Sequence, residues 1–185
     1  MKRHTVLLGV LLLAATAHAQ VPNLALKDIN GKRVALREVA ARSPVLVTFW
    51  ATWCVPCREE LVHIQKLHSA YGDSGLGFLA IAIDDTKTAN RVKSVARGKR
   101  LTMPILLDPE QEAMRAFGLA EVPGVFILDR NGKMLYQHTG YKPGDEAQLE
   151  EHVRTAVRLD HEATALAGAD SAAAPDTTRN GKKKR

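Results

Sequence analysis

The stretch Val45-Leu46-Val47-Thr48-Phe49-Trp50-Ala51-Thr52-Trp53-Cys54-Val55-Pro56-Cys57 decides how the chain is read. Its first six residues are almost continuously apolar and favour β structure, the pattern of a central strand covered on both faces. From Arg58 the apolar residues recur at Leu61, Ile64, Leu67 and Tyr71, the three-and-four spacing of one helix face. Cys54 and Cys57, the only two cysteines, therefore fall where a strand gives way to a helix N-terminus. Unpaired backbone N–H groups and the helix dipole favour a thiolate there, and the thiolate is the reacting species. This assigns Cys54 as the exposed attacking thiol. Cys57, one turn on, is placed to attack the mixed disulfide and release the product.

Two other uses of a cysteine pair compete with that assignment. A structural disulfide would close a loop of only four residues, and short loops restrict the unfolded chain least. It would also leave the strand–helix placement unexplained. Zinc would need histidines to complete its shell, but His63 follows Cys57 too closely for a finger and points away from it at about 100° per residue. Redox chemistry carries the most weight.

Outward from this junction, strands alternate with helices. Leu24/Leu26 and Val34/Leu36 alternate on either side of Asn30-Gly31, a dipeptide that favours a tight hairpin turn. The spacing predicts strands over 45–50, 77–84, 104–107, 125–128 and 134–138, and helices over 58–71, 88–97 and 110–117. Asn131-Gly132 marks a second hairpin. Asp145 with Gln148 has the form of a capping box opening a last helix through Leu149, Val153, Ala156, Val157 and Ala163. Asp84 and Asp85 read as the end of a strand and the cap of the helix after it. The result is an α/β sheet with helices on both faces.

Phe49-Trp50-Ala51-Thr52-Trp53-Cys54-Val55-Pro56-Cys57-Arg58-Glu59-Glu60 is the most specific part of a wider resemblance. From about Val21 to about Arg158 the chain resembles the TlpA/ResA-like periplasmic thiol–disulfide oxidoreductases of the thioredoxin superfamily. Asp28-Ile29-Asn30-Gly31-Lys32, Leu106-Leu107-Asp108-Pro109, Phe117-Gly118-Leu119, Val122-Pro123 and Phe126-Ile127-Leu128-Asp129-Arg130-Asn131-Gly132 continue it. The resemblance implies a thioredoxin-like fold, with a central mixed β-sheet, helices on both faces and an added N-terminal β-hairpin. It implies a cis peptide before Pro123, facing Cys54, with the backbone of Val122 free to pair with a substrate chain.

Glu60 lies three residues after Cys57 on the same helix, where a solvated surface carboxylate is the simpler use. The resemblance implies a functional carboxylate there, and the two readings stand level. Three positions depart from the pattern: Gly124 follows the proline where Thr or Ser is more usual, Val62 replaces a helix-kinking Pro, and Thr48 stands where thioredoxins carry a buried Asp. His63, His68 and His138 read as surface or half-buried histidines, and Trp50 as core.

Met1-Lys2-Arg3-His4 followed by the apolar run from Thr5 to Ala17 and by Ala17-His18-Ala19 reads as a secretory signal over residues 1–19. A retained anchor is the alternative, although the run is short against the roughly 20 residues a membrane span needs. Residues 20–163 form the folded domain. Residues 164–185, rich in Ala, Gly, Asp, Ser and Thr and ending in Lys182-Lys183-Lys184-Arg185, read as a disordered basic tail. Of the net charge of +6, Lys2 and Arg3 supply two and the terminal cluster four, so the domain is near neutral. That argues against a nucleic-acid face.

The expected function is a periplasmic thiol–disulfide oxidoreductase that reduces disulfides of exported proteins, with apocytochrome c haem-binding cysteines or copper-site proteins as the substrates the resemblance implies. Cys54, Cys57 and Glu60 are its catalytic residues. Trp53, Pro56, Val122 and Pro123 bind substrate. No metal and no cofactor are expected. The partners are proteins carrying disulfides and a membrane dithiol electron donor, with no nucleic acid, and the chain is a monomer. Val55-Pro56 lacks the His of strongly oxidising C-P-H-C pairs, which favours reduction. A disulfide-forming oxidase and a copper carrier using the same dithiol are the rival readings. A thiol peroxidase fits less well, because the residues before Cys54 lack the Arg and Thr or Ser that such a site needs.

Overall fold

A computed structural model describes residues 21–172 of the chain. The signal segment expected at 1–19 and the terminal basic cluster lie outside the described residues. The elements run β1 (Ala25–Asp28), β2 (Arg33–Ala35), α1 (Leu36–Ala40), β3 (Val45–Trp50), α2 (Val55–Tyr71), β4 (Gly77–Ala82), α3 (Ala89–Gly98), β5 (Ile105–Leu107), α4 (Glu112–Ala116), β6 (Gly124–Leu128), β7 (Met134–Thr139) and α5 (Asp145–Ala172). The strands form one mixed seven-stranded sheet in the order β2-β1-β5-β4-β3-β6-β7. β3 pairs parallel with β4 and antiparallel with β6, so the strand that leads into the cysteines is central. The N-terminal hairpin joins the sheet through β1, antiparallel to β5.

The continuous apolar run of β3 is buried at every residue, as a strand covered on both faces requires. On one face Phe49, Phe126 and Phe117 meet with ring centroids 5.0–5.8 Å apart. On the other face Leu61 and Ile64 of α2 and Leu149, Val153 and Ala156 of α5 are buried. Thr48 of β3, Val125 of β6 and His138 of β7 are direct cross-strand neighbours and form a row on this second face.

Several local features refine the sequence expectation or differ from it. Helix α2 starts at Val55, not Arg58, because Cys54 is its N-cap and Pro56 lies in its first turn, where a fixed φ and a missing N–H do no harm. The hairpin turn is organised by Asp28, whose Oδ1 accepts the N–H groups of Asn30 and Lys32 at 2.8 Å each, while Gly31 takes φ +88°. Asp129 builds the same turn with Asn131 and Lys133. Asp145 is the first residue of α5 and its side chain turns back to the N–H of Lys142 at 2.8 Å and to His138, in place of a capping box with Gln148. Helix α5 runs on to Ala172, so residues 165–172 are helical where composition predicts disorder. Alanine is the strongest helix former, and a helix propagates through it with little burial. The five-residue α1 carries no periodic signal and was not expected from the sequence.

Phe126 is fully buried at the centre of the aromatic cluster. Phe126→Ala should lower the unfolding free energy in urea by about 3–5 kcal/mol; a loss below about 1 kcal/mol would mean the cluster does not hold the sheet.

Candidate active site

Cys54 ends the loop after β3 and caps α2: its Sγ accepts the Cys57 N–H at 3.2 Å, and its carbonyl accepts the Arg58 N–H. The two cysteines are joined by a disulfide, so the structure describes the oxidised protein. Cys57 is 0% exposed and Cys54 5%. The expectation of an exposed attacking thiol is thus corrected in degree. With the disulfide closed, Cys54 is nearly covered by its own loop and by Val122, yet it alone of the two sulfur residues keeps any surface.

Around Cys54 the surface is apolar. Trp53 is 64% and Val55 54% exposed, and Pro56 is exposed as well. Large apolar side chains left in solvent beside a reactive group mark a docking surface for another chain. Across from them the Val122–Pro123 peptide is cis, and the Val122 carbonyl oxygen lies 3.8 Å from Cys54 Sγ. Val122 is half-buried and Pro123 buried. Gly124 does not widen this groove: a side chain at its Cα would meet the Leu119 methyls at 2.5–2.6 Å. The space that Thr or Ser would take is filled by Leu119, on the aromatic face of the sheet.

Glu60 is 4% exposed, which removes the surface reading of this residue. α2 turns it inward one turn after Cys57, onto β3, where Thr48 Oγ1 donates to its Oε2 at 3.5 Å. Burial pushes its carboxyl up from 4.5 to about 8, the Thr48 hydrogen bond opposes this, and the nearby Asp145 charge adds to it. Thr48, which stands where thioredoxins carry an Asp, and Glu60 thus form one unit, with the carboxyl supplied from the helix and a hydroxyl from the strand.

Glu60 also lines a cavity of about 10 Å³ together with His63, Tyr136, His138, Tyr141 and Asp145, roughly the space one water occupies. His138 Nε2 is 3.3 Å from Asp145 Oδ2, and Tyr136 stacks on His152 at 4.1 Å. His138 is therefore half-buried as expected, and it faces the Glu60 cavity. The row Thr48–Val125–His138 that builds this floor depends on strand order, which the sequence periodicity does not encode.

Asp84 is a correction. It neither ends β4 nor caps α3; Asp85 closes the turn into α3, accepting the N–H groups of Lys87 and Thr88. Asp84 is 1% exposed and turns toward the cysteine loop, where it accepts the Thr52 N–H at 2.9 Å and the Thr52 hydroxyl. Trp50 is fully buried, as expected.

The AhpC/TSA family profile matches residues 17–137. The thiol-disulfide oxidoreductase ResA of Geobacillus thermodenitrificans is 30% identical over 127 residues, covering 69% of this chain and 71% of that protein. ResA of Bacillus thuringiensis subsp. konkukian is 29% identical over 135 residues, 73% of this chain and 75% of that one. Among solved structures, an uncharacterized thioredoxin-like protein from Porphyromonas gingivalis is 39% identical, with a TM-score of 0.64 over 76% of this chain and 94% of that one. The fold is thioredoxin-like, as the resemblance implied.

The raised Glu60 carboxyl sets a pH dependence of stability. Between pH 4.5 and about 8 the folded oxidised protein keeps a proton that the unfolded chain has released. Stability from this group is therefore full below pH 4.5 and declines as pH rises to about 8. Glu60→Gln cannot titrate, so its stability relative to wild type should rise by on the order of 3 kcal/mol from pH 5 to pH 9. Urea unfolding of both oxidised proteins at the two pH values measures this; a constant difference would place the Glu60 carboxyl near its ordinary value.

Proposed function

The chain belongs to the AhpC/TSA family and is a thiol–disulfide oxidoreductase, and from that premise we propose that it is a periplasmic reductant of disulfides in exported proteins. One observation carries the reading: Cys54, at the N-cap of α2, is the sulfur residue with surface, and it sits between exposed Trp53 and Val55 and the Val122 carbonyl. A substrate strand fits between these edges, pairing with the backbone of Val122 and resting on Trp53, Pro56 and Pro123.

In the reduced protein the Cys54 thiolate attacks one substrate sulfur. A Cys54–substrate disulfide forms, the substrate S–S bond breaks, and the departing substrate thiolate takes a proton from solvent. Cys57 then gives its proton to Glu60 in its carboxylate form and attacks Cys54 Sγ. The second substrate thiolate leaves and is protonated in turn, and the protein is left with the Cys54–Cys57 disulfide. Two electrons have passed to the substrate. A carboxyl at about 8 is close to the ~8.5 of an ordinary thiol, so the proton moves between Cys57 and Glu60 with little driving force either way. When a donor dithiol reduces Cys54 again, Glu60 returns the proton to the departing Cys57 thiolate.

Reduction in an oxidising compartment needs electrons from the cytosolic side, and a membrane dithiol donor supplies them. The signal segment read from residues 1–19 supports export, and no helix among the described residues is long and apolar enough to cross a membrane. The substrates are haem-binding cysteines of apocytochrome c or cysteines of copper-site proteins, and the chain acts as a monomer.

Cys54→Ser should abolish disulfide exchange, while Cys57→Ser should accumulate mixed disulfides in the periplasm, read by non-reducing gels and mass spectrometry. Mixed disulfides that accumulate on Cys57 in Cys54→Ser, with none on Cys54 in Cys57→Ser, would reverse the assignment. Equilibration with glutathione should give a reduction potential well below the ~−120 mV of the strongly oxidising periplasmic class; a value at that level would make the protein an oxidase.

A further inference from the structure

Asp84 is a buried carboxyl group that the exchange steps do not use, and its two oxygens are both spent on Thr52, two residues before Cys54. Parallel pairing of β3 and β4 brings the ends of these strands side by side, and the Ile83 N–H continues the pairing to the Trp50 carbonyl. Asp84 thus leaves β4 directly beside the loop that turns from β3 into α2. Within that loop the Cys54 N–H bonds back to the Ala51 carbonyl at 3.1 Å, closing a tight turn over Thr52 and Trp53. Thr52 is itself buried. Neither it nor Asp84 belongs to the apolar rim at Trp53 and Val55, or to the Glu60 side of α2.

We propose that Asp84 is a positioning residue for the exchange reaction: by holding the Thr52 N–H and hydroxyl it keeps Cys54 at the N-cap of α2 when the disulfide is open. In the oxidised protein the Cys54–Cys57 bond itself fixes this geometry. In the reduced protein that bond is gone, and the loop is held by the Asp84–Thr52 contacts, the turn bond and the backbone bond from the Arg58 N–H to the Cys54 carbonyl. The thiolate gains from the helix N-terminus only within the first turn, so a loop that drifts loses the acidity that makes Cys54 reactive at neutral pH. The inference rests on Cys54 being the attacking thiol.

The test is alkylation of the fully reduced full-length protein by iodoacetamide from pH 5 to 9, with each cysteine followed separately by mass spectrometry. Two variants separate the tether from the charge. In Asp84→Asn the amide oxygen can accept the Thr52 N–H and the amide nitrogen can donate to the Thr52 hydroxyl, so the contacts survive without charge. In Asp84→Ala they are lost. The expected result is that Cys54 in Asp84→Ala reacts roughly two- to fivefold more slowly at pH 6 than in Asp84→Asn, that the two converge at pH 9, and that Cys57 is unaffected. Thr52→Val, which keeps the N–H and loses the hydroxyl, should fall between them and serves if Asp84→Ala does not fold. Coincident Cys54 profiles for all three variants overturn the positioning role, even if Asp84→Ala melts at lower temperature. Faster labelling of Cys57 than of Cys54 in the wild type would instead overturn the assignment of the attacking thiol, a separate failure.

Discussion

A carboxyl group buried one helical turn beyond the second cysteine is the constraint on which the rest of this site depends. Glu60 has one hydrogen-bond partner from the strand beneath it, Thr48, and burial of an ionisable group with so few partners is costly. The structure meets that cost by keeping the group protonated to about pH 8. The position requires α2 to lie flat on β3, which its apolar residues Leu61 and Ile64 achieve. It also requires the far side to be closed by β7 and α5, which bring His138 and Asp145 to the same small cavity. A carboxyl with a proton affinity close to that of a thiol therefore follows from packing.

The other side of the dithiol is organised on different principles. Cys54 is kept at a helix N-terminus by loop geometry, with Val122 opposite and an apolar rim beside it. Each side has a buried carboxyl: Glu60 of α2 lies one turn beyond Cys57 and bonds to Thr48, and Asp84, just after β4, accepts from Thr52 in the loop before Cys54. The first has the weak hydrogen bonding and raised proton affinity that proton transfer calls for, and the second has strong, fully used hydrogen bonds that suit anchoring. In the proposed mechanism these two buried carboxyl groups divide chemistry and placement between them.

Much of this was legible in the sequence, for identifiable reasons. The residues of β3 are apolar except for Thr48, so its bounds agree with the expectation at both ends. The cysteine pair, the mixed sheet with its added N-terminal hairpin implied by the resemblance, and the half-buried state of His138 are likewise readable. Glu60 was not decided by sequence, because three-residue spacing from Cys57 fixes a helix face but not what packs on it. Asp84 was misassigned because an Asp-Asp pair before a helix resembles a cap; which of the two turns to the cysteine loop depends on the neighbouring strand. The early start of α2 was hidden by Val55-Pro56, whose proline reads as a break when its position in the first turn is unknown. The length of α5 is not legible in composition, because low burial does not mean low helicity where an alanine-rich stretch satisfies its own backbone.

The proton exchange between Cys57 and Glu60 is the central claim, and stopped-flow kinetics of product release from a Cys54 mixed disulfide test it most directly. Glu60→Gln keeps the shape and removes the carboxyl. With Glu60 as the proton acceptor, attack by Cys54 should be nearly unchanged in Glu60→Gln while release by Cys57 is slowed, most clearly near and above pH 8, where the wild-type carboxyl is ionised and can take the Cys57 proton; below neutral pH both proteins lack that base and should converge. Identical release rates for wild type and Glu60→Gln from pH 5 to pH 9 would contradict it.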